Sequence, residues 1–256
     1  MSSFTGKTIL VTGATSGIGR DTAITLAQRG AKVAFTGRRA DRGKELEAEI
    51  KSAGGKALFI QADAANEDDT KRAVEETVKV FGGLHGAFNN AGIEGQLGPS
   101  VEATHDNYRR VFDINVWGVA ASMKHEIPAI LATVGDAGGG SIVNNSSAMG
   151  VIAMPNAGLY AATKHAVIGL SKAAALEVSA KGVRVNVIAP AVIETEMFDR
   201  FSGGADEARA HMTALHPIGR IGQPREITGP VLWLLSDESS FVTGQTIAAD
   251  GGFTAQ

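Results

Sequence analysis

Tyr160 and Lys164 stand four residues apart in the segment LYAATKHAV, residues 159–167. Residues with this spacing lie on one face of a helix, so the phenol and the ammonium are expected to be neighbours. Such a pair is most often ordinary helix surface. The chemical alternative is proton transfer, because a nearby positive charge stabilises the phenolate and lowers the pKa of a phenol from its usual value of about 10. The pair alone does not decide between these interpretations.

Three glycines follow the first apolar run of the chain, KTILVT, and open a segment with helical periodicity. Gly13, Gly17 and Gly19 lie in TGATSGIGR, residues 12–20. Glycine lets the backbone approach a pyrophosphate, and the following helix offers free N–H groups and the positive end of its dipole. A glycine-rich turn between a strand and a helix therefore predicts dinucleotide binding. The other residues of this loop that we expect to contact the cofactor are Thr15, Ser16 and Ile18.

The end of the second apolar run, FTGRRADR, bears on the choice of dinucleotide. An acidic residue at this place would bind the ribose hydroxyls of NAD, but the chain has Gly37, followed by Arg38 and Arg39. A guanidinium suits the 2′-phosphate of NADP, so the sequence predicts binding of NADP(H) in preference to NAD(H). The alternative is that both arginines are solvated surface residues and that NAD(H) is the cofactor.

Apolar runs rich in β-branched residues alternate with longer segments of helical periodicity along the chain. The predicted strands are 7–12, 32–36, 56–61, 84–90, 141–146, 183–189 and 246–248, and the predicted helices are 18–29, 41–53, 67–81, 104–132, 158–180 and 224–236. This alternation favours a parallel sheet with right-handed crossovers. We predict a single α/β domain over residues 1–256, a doubly wound Rossmann fold with a seven-stranded parallel sheet and helices on both faces. The least regular segment, 190–223, follows the sixth strand and is interpreted as a substrate loop or lid.

The composition excludes several classes of protein. The chain has 256 residues, of which 44% are hydrophobic and 20% charged, as is typical of a globular protein with a substantial core. It has no cysteine, and its net charge of −3 comes without a basic patch for nucleic acid. The N-terminal residues do not resemble a signal peptide, and no apolar run approaches the roughly 18 residues of a membrane span. We therefore expect a cytoplasmic protein that binds neither nucleic acid nor membrane.

Taken together, TGATSGIG, NNAG at residues 89–92 and the Tyr160/Lys164 pair resemble the short-chain dehydrogenase/reductase family, and the resemblance runs from Lys7 to the C-terminus. It implies an oxidoreductase that transfers a hydride between NAD(P)(H) and a carbonyl or secondary alcohol. The catalytic tetrad that it implies consists of Asn115, Ser147, Tyr160 and Lys164. The cofactor-binding residues that it adds to the glycine loop and the two arginines are Asp63, Ala64, Asn90, Ala91, Gly92, Tyr160, Lys164, Pro190, Ile193 and Thr195.

Three details of the resemblance bear on the chemistry. Ser146 competes with Ser147 for the serine role, and the family's spacing of thirteen residues to the tyrosine selects Ser147. Ala191 stands after Pro190 where the family has glycine, which leaves the backbone beside the nicotinamide less free. Enoyl reductases of this fold have a wider tyrosine–lysine spacing, so reduction of a C=C bond is not expected.

The implied reaction gives each member of the tetrad a role. Tyr160 is expected to be the general acid that protonates the carbonyl oxygen, or the base in the oxidative direction. Lys164 and the positively charged nicotinamide are expected to lower its pKa, and Lys164 also to reach the ribose hydroxyls. Ser147 is expected to donate a hydrogen bond to the substrate oxygen. The resemblance implies that Asn115 holds a water molecule that links Lys164 to solvent.

Contacts with the substrate are expected from loops that follow the strands. The predicted substrate residues are Ser147, Met149, Met154, Tyr160 and Met197, with Glu94, Ile152, Phe198 and Phe201 as further candidates. The apolar ones among them could equally be core residues. No histidines have the spacing of metal ligands, and we expect no metal in the active site.

The resemblance also implies a homotetramer. Helices 104–132 and 158–180 would form one interface, and the last helix and strand another; ordinary packing of these helices on the sheet is the alternative. The terminal Gln256 is considered as a metal ligand at such an interface. Two other functions remain open, an NAD-dependent polyol, sugar or steroid dehydrogenase and a non-catalytic dinucleotide-binding sensor, although the complete tetrad argues against a sensor.

Overall fold

The computed structural model describes residues 3–255, so Gln256 lies outside the described residues. The strands are β1 Thr8–Val11, β2 Lys32–Gly37, β3 Lys56–Gln61, β4 Gly86–Asn89, β5 Gly140–Asn145, β6 Val183–Pro190 and β7 Thr246–Ala249. The helices are α1 Gly17–Gln28, α2 Ala40–Ser52, α3 Glu67–Phe81, α4 His105–Phe112, α5 Gly118–Val134, α6 Gly158–Val178, α7 Glu196–Ser202, α8 Asp206–Ala214 and α9 Pro224–Leu235. The strands form one parallel sheet in the order β3-β2-β1-β4-β5-β6-β7, which confirms the predicted fold.

Apolar side chains of the strands lie alternately on the two faces of the sheet. In β1, Ile9 and Val11 belong to the buried cluster that includes residues of α1, α2 and α9, whereas Leu10 belongs to the cluster with α3, α5 and α6. Burial on both faces explains why the strands read as continuous apolar runs in the sequence. Within residues 3–255, the helices fall short of the length and hydrophobicity that crossing a membrane requires.

The order of the strands reverses between β1 and β4, which are neighbours in the sheet. From β1 the chain moves outward through β2 and β3, and it then returns to β4 on the other side. The loops after β1 and β4 therefore leave the sheet in opposite directions and open a crevice at its carboxyl edge, the place where ligands of this architecture bind. The glycine loop follows β1 and the NNAG motif ends β4, so both flank this crevice.

The segment predicted as one helix, 104–132, is two helices joined by a π-helical turn at residues 113–117. Asn115 lies in this turn and is 1% exposed. Its side chain binds the backbone of Ile93 in the loop after β4. Such turns are frequent at functional sites, and the hydrophobic periodicity of the sequence does not reveal them.

The segment predicted as irregular, 190–223, contains the two short helices α7 and α8. Thr195 caps α7, because its hydroxyl oxygen accepts a hydrogen bond from the backbone N–H of Phe198 at 3.4 Å. Helix α7 ends at Ser202, and Gly203, which follows it, has a left-handed backbone conformation. Helices of seven and nine residues span too few turns for a clear apolar stripe, which is why the sequence pattern missed them.

A buried polar network joins the central strands to α5. The side-chain amide of Asn89 donates hydrogen bonds to Glu126 Oε2 and Asn144 Oδ1, both at 2.9 Å, and Asn144 donates to Ser171 Oγ at 2.8 Å. Glu126 is completely buried, and its Oε1 has no hydrogen-bond partner among the described residues. Burial raises the pKa of Glu126 to about 7 because the charged carboxylate loses its hydration.

The buried carboxyl of Glu126 makes stability depend on pH. Between its ordinary pKa of 4.5 in the unfolded chain and about 7 in the folded one, the folded protein holds more protons, so stability falls as pH rises through this window. We expect Glu126→Gln, which mimics the protonated carboxyl, to remove this loss. Measured by urea unfolding, the free energy of unfolding of the variant should rise relative to that of the wild type by about 2–3 kcal/mol from pH 5 to pH 8. Glu45→Gln, at an exposed position of α2, is the control; parallel pH curves for wild type and Glu126→Gln would contradict the prediction.

Candidate active site

Tyr160 and Lys164 lie one turn apart near the start of α6, as their spacing predicted. Lys164 is 4% exposed, and its Nζ lies 5.6 Å from the centroid of the Tyr160 ring. The ammonium donates a hydrogen bond to the backbone oxygen of Asn145, at the end of β5, at 2.9 Å. The Tyr160–Lys164 pair is therefore not ordinary helix surface, because a lysine is buried this deeply only where its charge has partners.

Burial dominates the protonation of this pair. It raises the pKa of the Tyr160 phenol to about 12; the Ser147 hydroxyl lowers that pKa and the charge of Glu94 raises it. Burial also lowers the pKa of Lys164 to about 8. Lys164 was expected to lower the pKa of the phenol, but the loss of hydration on burial is the dominant effect and raises it.

The two candidate serines have different surroundings. Ser147 Oγ accepts a hydrogen bond from the backbone N–H of Met149 at 3.1 Å and donates one to the carbonyl oxygen of Pro190 at 3.3 Å. Its hydroxyl also lowers the pKa of the Tyr160 phenol through a hydrogen bond. The hydroxyl of Ser146 instead donates to the backbone oxygen of Lys164 at 2.8 Å. Ser147 is thus the serine that lies beside the phenol.

The side chain of Asn115 connects the π-helical turn to the loop after β4. Its Oδ1 accepts from the backbone N–H of Ile93 and its Nδ2 donates to the backbone oxygen of Ile93, both at 2.8 Å. A Cβ atom at Gly92 would lie 3.3 Å from Asn115 Oδ1 and 3.5 Å from Lys164 Nζ. These polar atoms therefore flank Gly92, and Asn115 fixes the backbone next to the buried lysine.

The glycine loop packs against the NNAG motif at the carboxyl edge of the sheet. Gly13 has a φ of +65°, and a Cβ there would come within 2.7 Å of Ala91 Cα. A Cβ at Gly19 would come within 2.5 Å of Asn90 Nδ2. The same Asn90 amide donates to the carbonyl oxygens of Thr12 at 3.1 Å and Gly13 at 3.0 Å. The lack of side chains at Gly13 and Gly19 thus lets the loop pack closely on Asn90 and Ala91.

The two arginines after β2 differ in their contacts. Arg39 donates hydrogen bonds to Ser16 Oγ at 2.9 Å and to Glu196 Oε2 at 2.7 Å. Arg38 is exposed, and among residues 3–255 its side chain makes no hydrogen bond or ion pair. A Cβ at Gly37 would collide with the side chain of Thr15, so packing alone already favours glycine at this position.

The remaining predicted cofactor residues also line the carboxyl edge of the sheet. Asp63 follows β3 and its Oδ1 accepts a hydrogen bond from the N–H of Ala65 at 3.0 Å. Ala64 lies against α5, where a Cβ at Gly118 would come within 2.7 Å of its carbonyl oxygen. The others follow β6 or end it: Pro190 is its last residue, Ile193 forms a β-bridge with Gly222, and Thr195 begins the cap of α7.

The predicted substrate residues divide into two groups. Met149, Ile152 and Met154 belong to the apolar cluster that also contains Tyr160 and Phe253. Phe198 is 2% exposed and packs edge-to-face on Phe201, with ring centroids 5.1 Å apart. A cavity of about 220 Å³ lies on another side of Tyr160. Residues 96–100, 102–103, 107 and 156–160 line it, so Met149, Met154 and Met197 do not.

Several residues of the site were not singled out in the sequence. Asn145 accepts a hydrogen bond from the ammonium of Lys164 through its backbone oxygen. No side-chain motif in the sequence predicts such a backbone contact. Arg200 forms two hydrogen bonds with Glu94, at 2.8 and 3.0 Å, and lies four residues after Glu196. The four-residue spacing of Glu196 and Arg200 indicates that both side chains lie on one helix face, but only once the helix α7 itself is known.

Comparison with known proteins agrees with this geometry. The family model described as enoyl-(acyl carrier protein) reductase matches residues 13–254. The chain is 46% identical to a cyclohexanol dehydrogenase from Acinetobacter sp. (strain SE19), over 99% of this chain and 97% of that protein. It is 44% identical to a 2,5-dichloro-2,5-cyclohexadiene-1,4-diol dehydrogenase from Sphingobium indicum, over the full length of both chains.

Solved structures with the same fold are also dehydrogenases and reductases. The structure of levodione reductase has a TM-score of 0.93 and 33% sequence identity, and covers 98% of this chain and 99% of its own. A 3-ketoacyl-(acyl-carrier-protein) reductase from Brucella melitensis, complexed with NADH, has a TM-score of 0.92 and 30% identity, with 98% of this chain and 100% of its own covered. The chain therefore belongs to the short-chain dehydrogenase/reductase family and is an NAD(P)-dependent oxidoreductase that acts on alcohols and carbonyls.

Proposed function

We propose that Tyr160 transfers the proton in the interconversion of a secondary alcohol and its ketone. The observation that carries this proposal is the proximity of its phenol to the Ser147 hydroxyl and to the buried ammonium of Lys164. The bound cofactor supplies the hydride in reduction and accepts it in oxidation. In reduction, Ser147 donates a hydrogen bond to the carbonyl oxygen while Tyr160 gives that oxygen its proton.

The protonation of the pair suits these roles. A phenol with a pKa of about 12 keeps its proton at neutral pH and is ready to act as an acid. The reverse direction requires the phenolate, and the ammonium of Lys164 is the positive group of the chain placed to stabilise it. Asn115 contributes as a positioning residue, because its side chain fixes the backbone of Ile93 beside Lys164.

We propose NADP(H) as the preferred cofactor, held by the glycine loop and by Arg38 and Arg39. The 2′-phosphate carries close to two negative charges, and an exposed guanidinium without another partner suits it. Gly37 supports this choice, because it removes the carboxylate that would repel the phosphate. NAD(H) is the alternative, and it is supported by the NADH bound to the structurally similar 3-ketoacyl-(acyl-carrier-protein) reductase.

We propose an alicyclic secondary alcohol or ketone as the substrate. The relatives named for cyclohexanol and for a dichlorocyclohexadiene diol support a six-membered ring. The cavity of about 220 Å³ that Tyr160 lines, together with the apolar Leu97, Pro99 and Leu159, supports the position of such a ring. Residues 190–223 serve as the substrate lid in this proposal, because the Arg200–Glu94 ion pair joins α7 to the loop after β4.

We propose a homotetramer built through two apolar surfaces. The first, on α6 and the turn between α4 and α5, exposes Leu176 by 86% and Trp117 by 46%. The second, on α9 and the loop before β7, exposes Trp233 by 37% and Phe241 completely. Large apolar side chains exposed in this way are typical of subunit interfaces.

Replacing Tyr160 with phenylalanine tests the proton transfer. The variant keeps the ring and removes the acidic proton, so we expect turnover of cyclohexanol or cyclohexanone to fall at least about 100-fold. Cofactor affinity, measured by fluorescence titration, should stay within a few-fold of the wild type. Tyr108→Phe is the matched control, since Tyr108 is the chain's other tyrosine and is 42% exposed. Near-wild-type turnover of Tyr160→Phe would overturn the mechanism.

Replacing Arg38 with alanine tests the choice of cofactor. We expect the wild type to have a kcat/KM at least about tenfold higher with NADP than with NAD, in line with about 1.5–3 kcal/mol for a charge-assisted hydrogen bond. Arg38→Ala should remove most of this preference by lowering kcat/KM for NADP alone. Lys44→Ala, which removes an exposed positive charge from α2, controls for general attraction of the phosphate. A wild type that prefers NAD would show the NADP proposal to be wrong.

Replacing Leu176 with glutamate tests the assembly. Light scattering of the wild type at micromolar concentration should give the mass of four chains. Leu176→Glu places a charge within the proposed interface and should yield dimers, because burying an unpaired charge is unfavourable. Val101→Glu is the control, since Val101 is 94% exposed but lies outside both surfaces. A monomeric wild type would refute the tetramer.

A further inference from the structure

The guanidinium of Arg39 is shared between the glycine loop and the start of α7. Its Nη1 donates to Glu196 Oε2 at 2.7 Å, and its Nη2 donates to Ser16 Oγ at 2.9 Å and to Thr15 Oγ1 at 3.3 Å. The hydrogen bond from Arg39 is the largest cause that lowers the pKa of Glu196, and the charge of Arg42 lowers it further. At neutral pH a carboxylate from α7 therefore lies at the edge of the phosphate-binding loop.

The backbone around Glu196 fixes this arrangement. Thr195, the residue before it, packs on the glycine loop: a Cβ at Gly17 would come within 3.1 Å of Thr195 Cγ2. Thr195 is also the cap of α7, and Glu196 is the first residue of that helix. The Glu196 carboxylate thus contacts Arg39 from the capped first turn of α7, and not from a loop without regular structure.

The two arginines that follow Gly37 consequently differ in whether a carboxylate neutralises their positive charge. Arg38 has no anionic partner among residues 3–255, whereas Arg39 is already paired with a carboxylate. A phosphate that approaches Arg39 must share the guanidinium with Glu196 or displace it. Two like charges at one site repel each other, so this sharing is unfavourable.

We propose that Glu196 is a specificity-determining residue, whose carboxylate competes with the 2′-phosphate of the cofactor for Arg39 and so weakens NADP relative to NAD. The proposal rests on the proposed recognition of the 2′-phosphate by the arginines after β2. In this arrangement Arg39 contributes less to phosphate binding than Arg38 does, and α7 supplies from a distant part of the chain the acidic group that is missing at Gly37.

Calorimetric titration with 2′,5′-ADP and with 5′-ADP tests the competition without catalysis. Glu196→Gln should tighten binding of 2′,5′-ADP at least about threefold, an effect of the size expected for a half-exposed ion pair. Binding of 5′-ADP, which lacks the 2′-phosphate, should not tighten. Asp199→Asn is the matched control, because it removes an exposed carboxylate from the same helix that has no side-chain partner in the described part of the chain.

A double variant identifies Arg39 as the group for which the two anions compete. In an Arg39→Ala background, Glu196→Gln should no longer change the affinity ratio of the two ligands. An unchanged ratio for Glu196→Gln alone, or a gain that persists without Arg39, would overturn the proposal. A wild type that prefers NAD, combined with a selective gain for Glu196→Gln, would refute the NADP preference while supporting the role of Glu196.

Discussion

A set of amide hydrogen bonds between strand ends holds the two halves of the crevice together. Asn90, after β4, donates to the carbonyl oxygens of Thr12 and Gly13 after β1, and its Oδ1 accepts from the amide of Asn145 in β5 at 3.0 Å. The backbone oxygen of Asn145 in turn accepts from the ammonium of Lys164. A buried polar group left without a partner costs on the order of 1–3 kcal/mol, so each of these groups restrains the others. The phosphate loop and the helix that carries Tyr160 are therefore positioned by one connected network, although they are far apart in the sequence.

This network also decides the electrostatics of the site. It draws Lys164 into the protein next to a buried phenol, and burial then favours the neutral form of both side chains. With a pKa of about 12 for the phenol and about 8 for the ammonium, the pair at neutral pH consists of a protonated phenol and a charged lysine. Reduction needs the protonated phenol, whereas oxidation needs the phenolate and hence a charged Lys164. The two directions of the reaction thus depend on different protonation states of the same pair.

Local patterns in the sequence were sufficient for the sheet and for most of the long helices, though not for the segment 104–132. Strand 56–61 and helix 67–81 have the predicted bounds, because an apolar run and a capping residue, Asn66, are both local signals. The π-helical turn around Asn115 could not be predicted in this way, since it depends on hydrogen bonds with Ile93 that form only in the folded chain. The pKa of Tyr160 was missed for a related reason, because burial is a property of the tertiary structure.

Helix α7 is the clearest case of a site element that the sequence does not reveal. Glu196 is separated from Arg39 by 157 residues, and Arg200 from Glu94 by 106. No local pattern in the sequence indicates these two pairings. Glu196 and Arg200 stand four residues apart, so both lie on one face of α7. One turn of α7 therefore contacts the phosphate loop through Glu196 and the neighbourhood of Tyr160 through Arg200. Helix α7 thus joins the phosphate loop and the loop after β4 through two ion pairs that lie one turn apart, and no interaction between neighbours in the sequence could place it there.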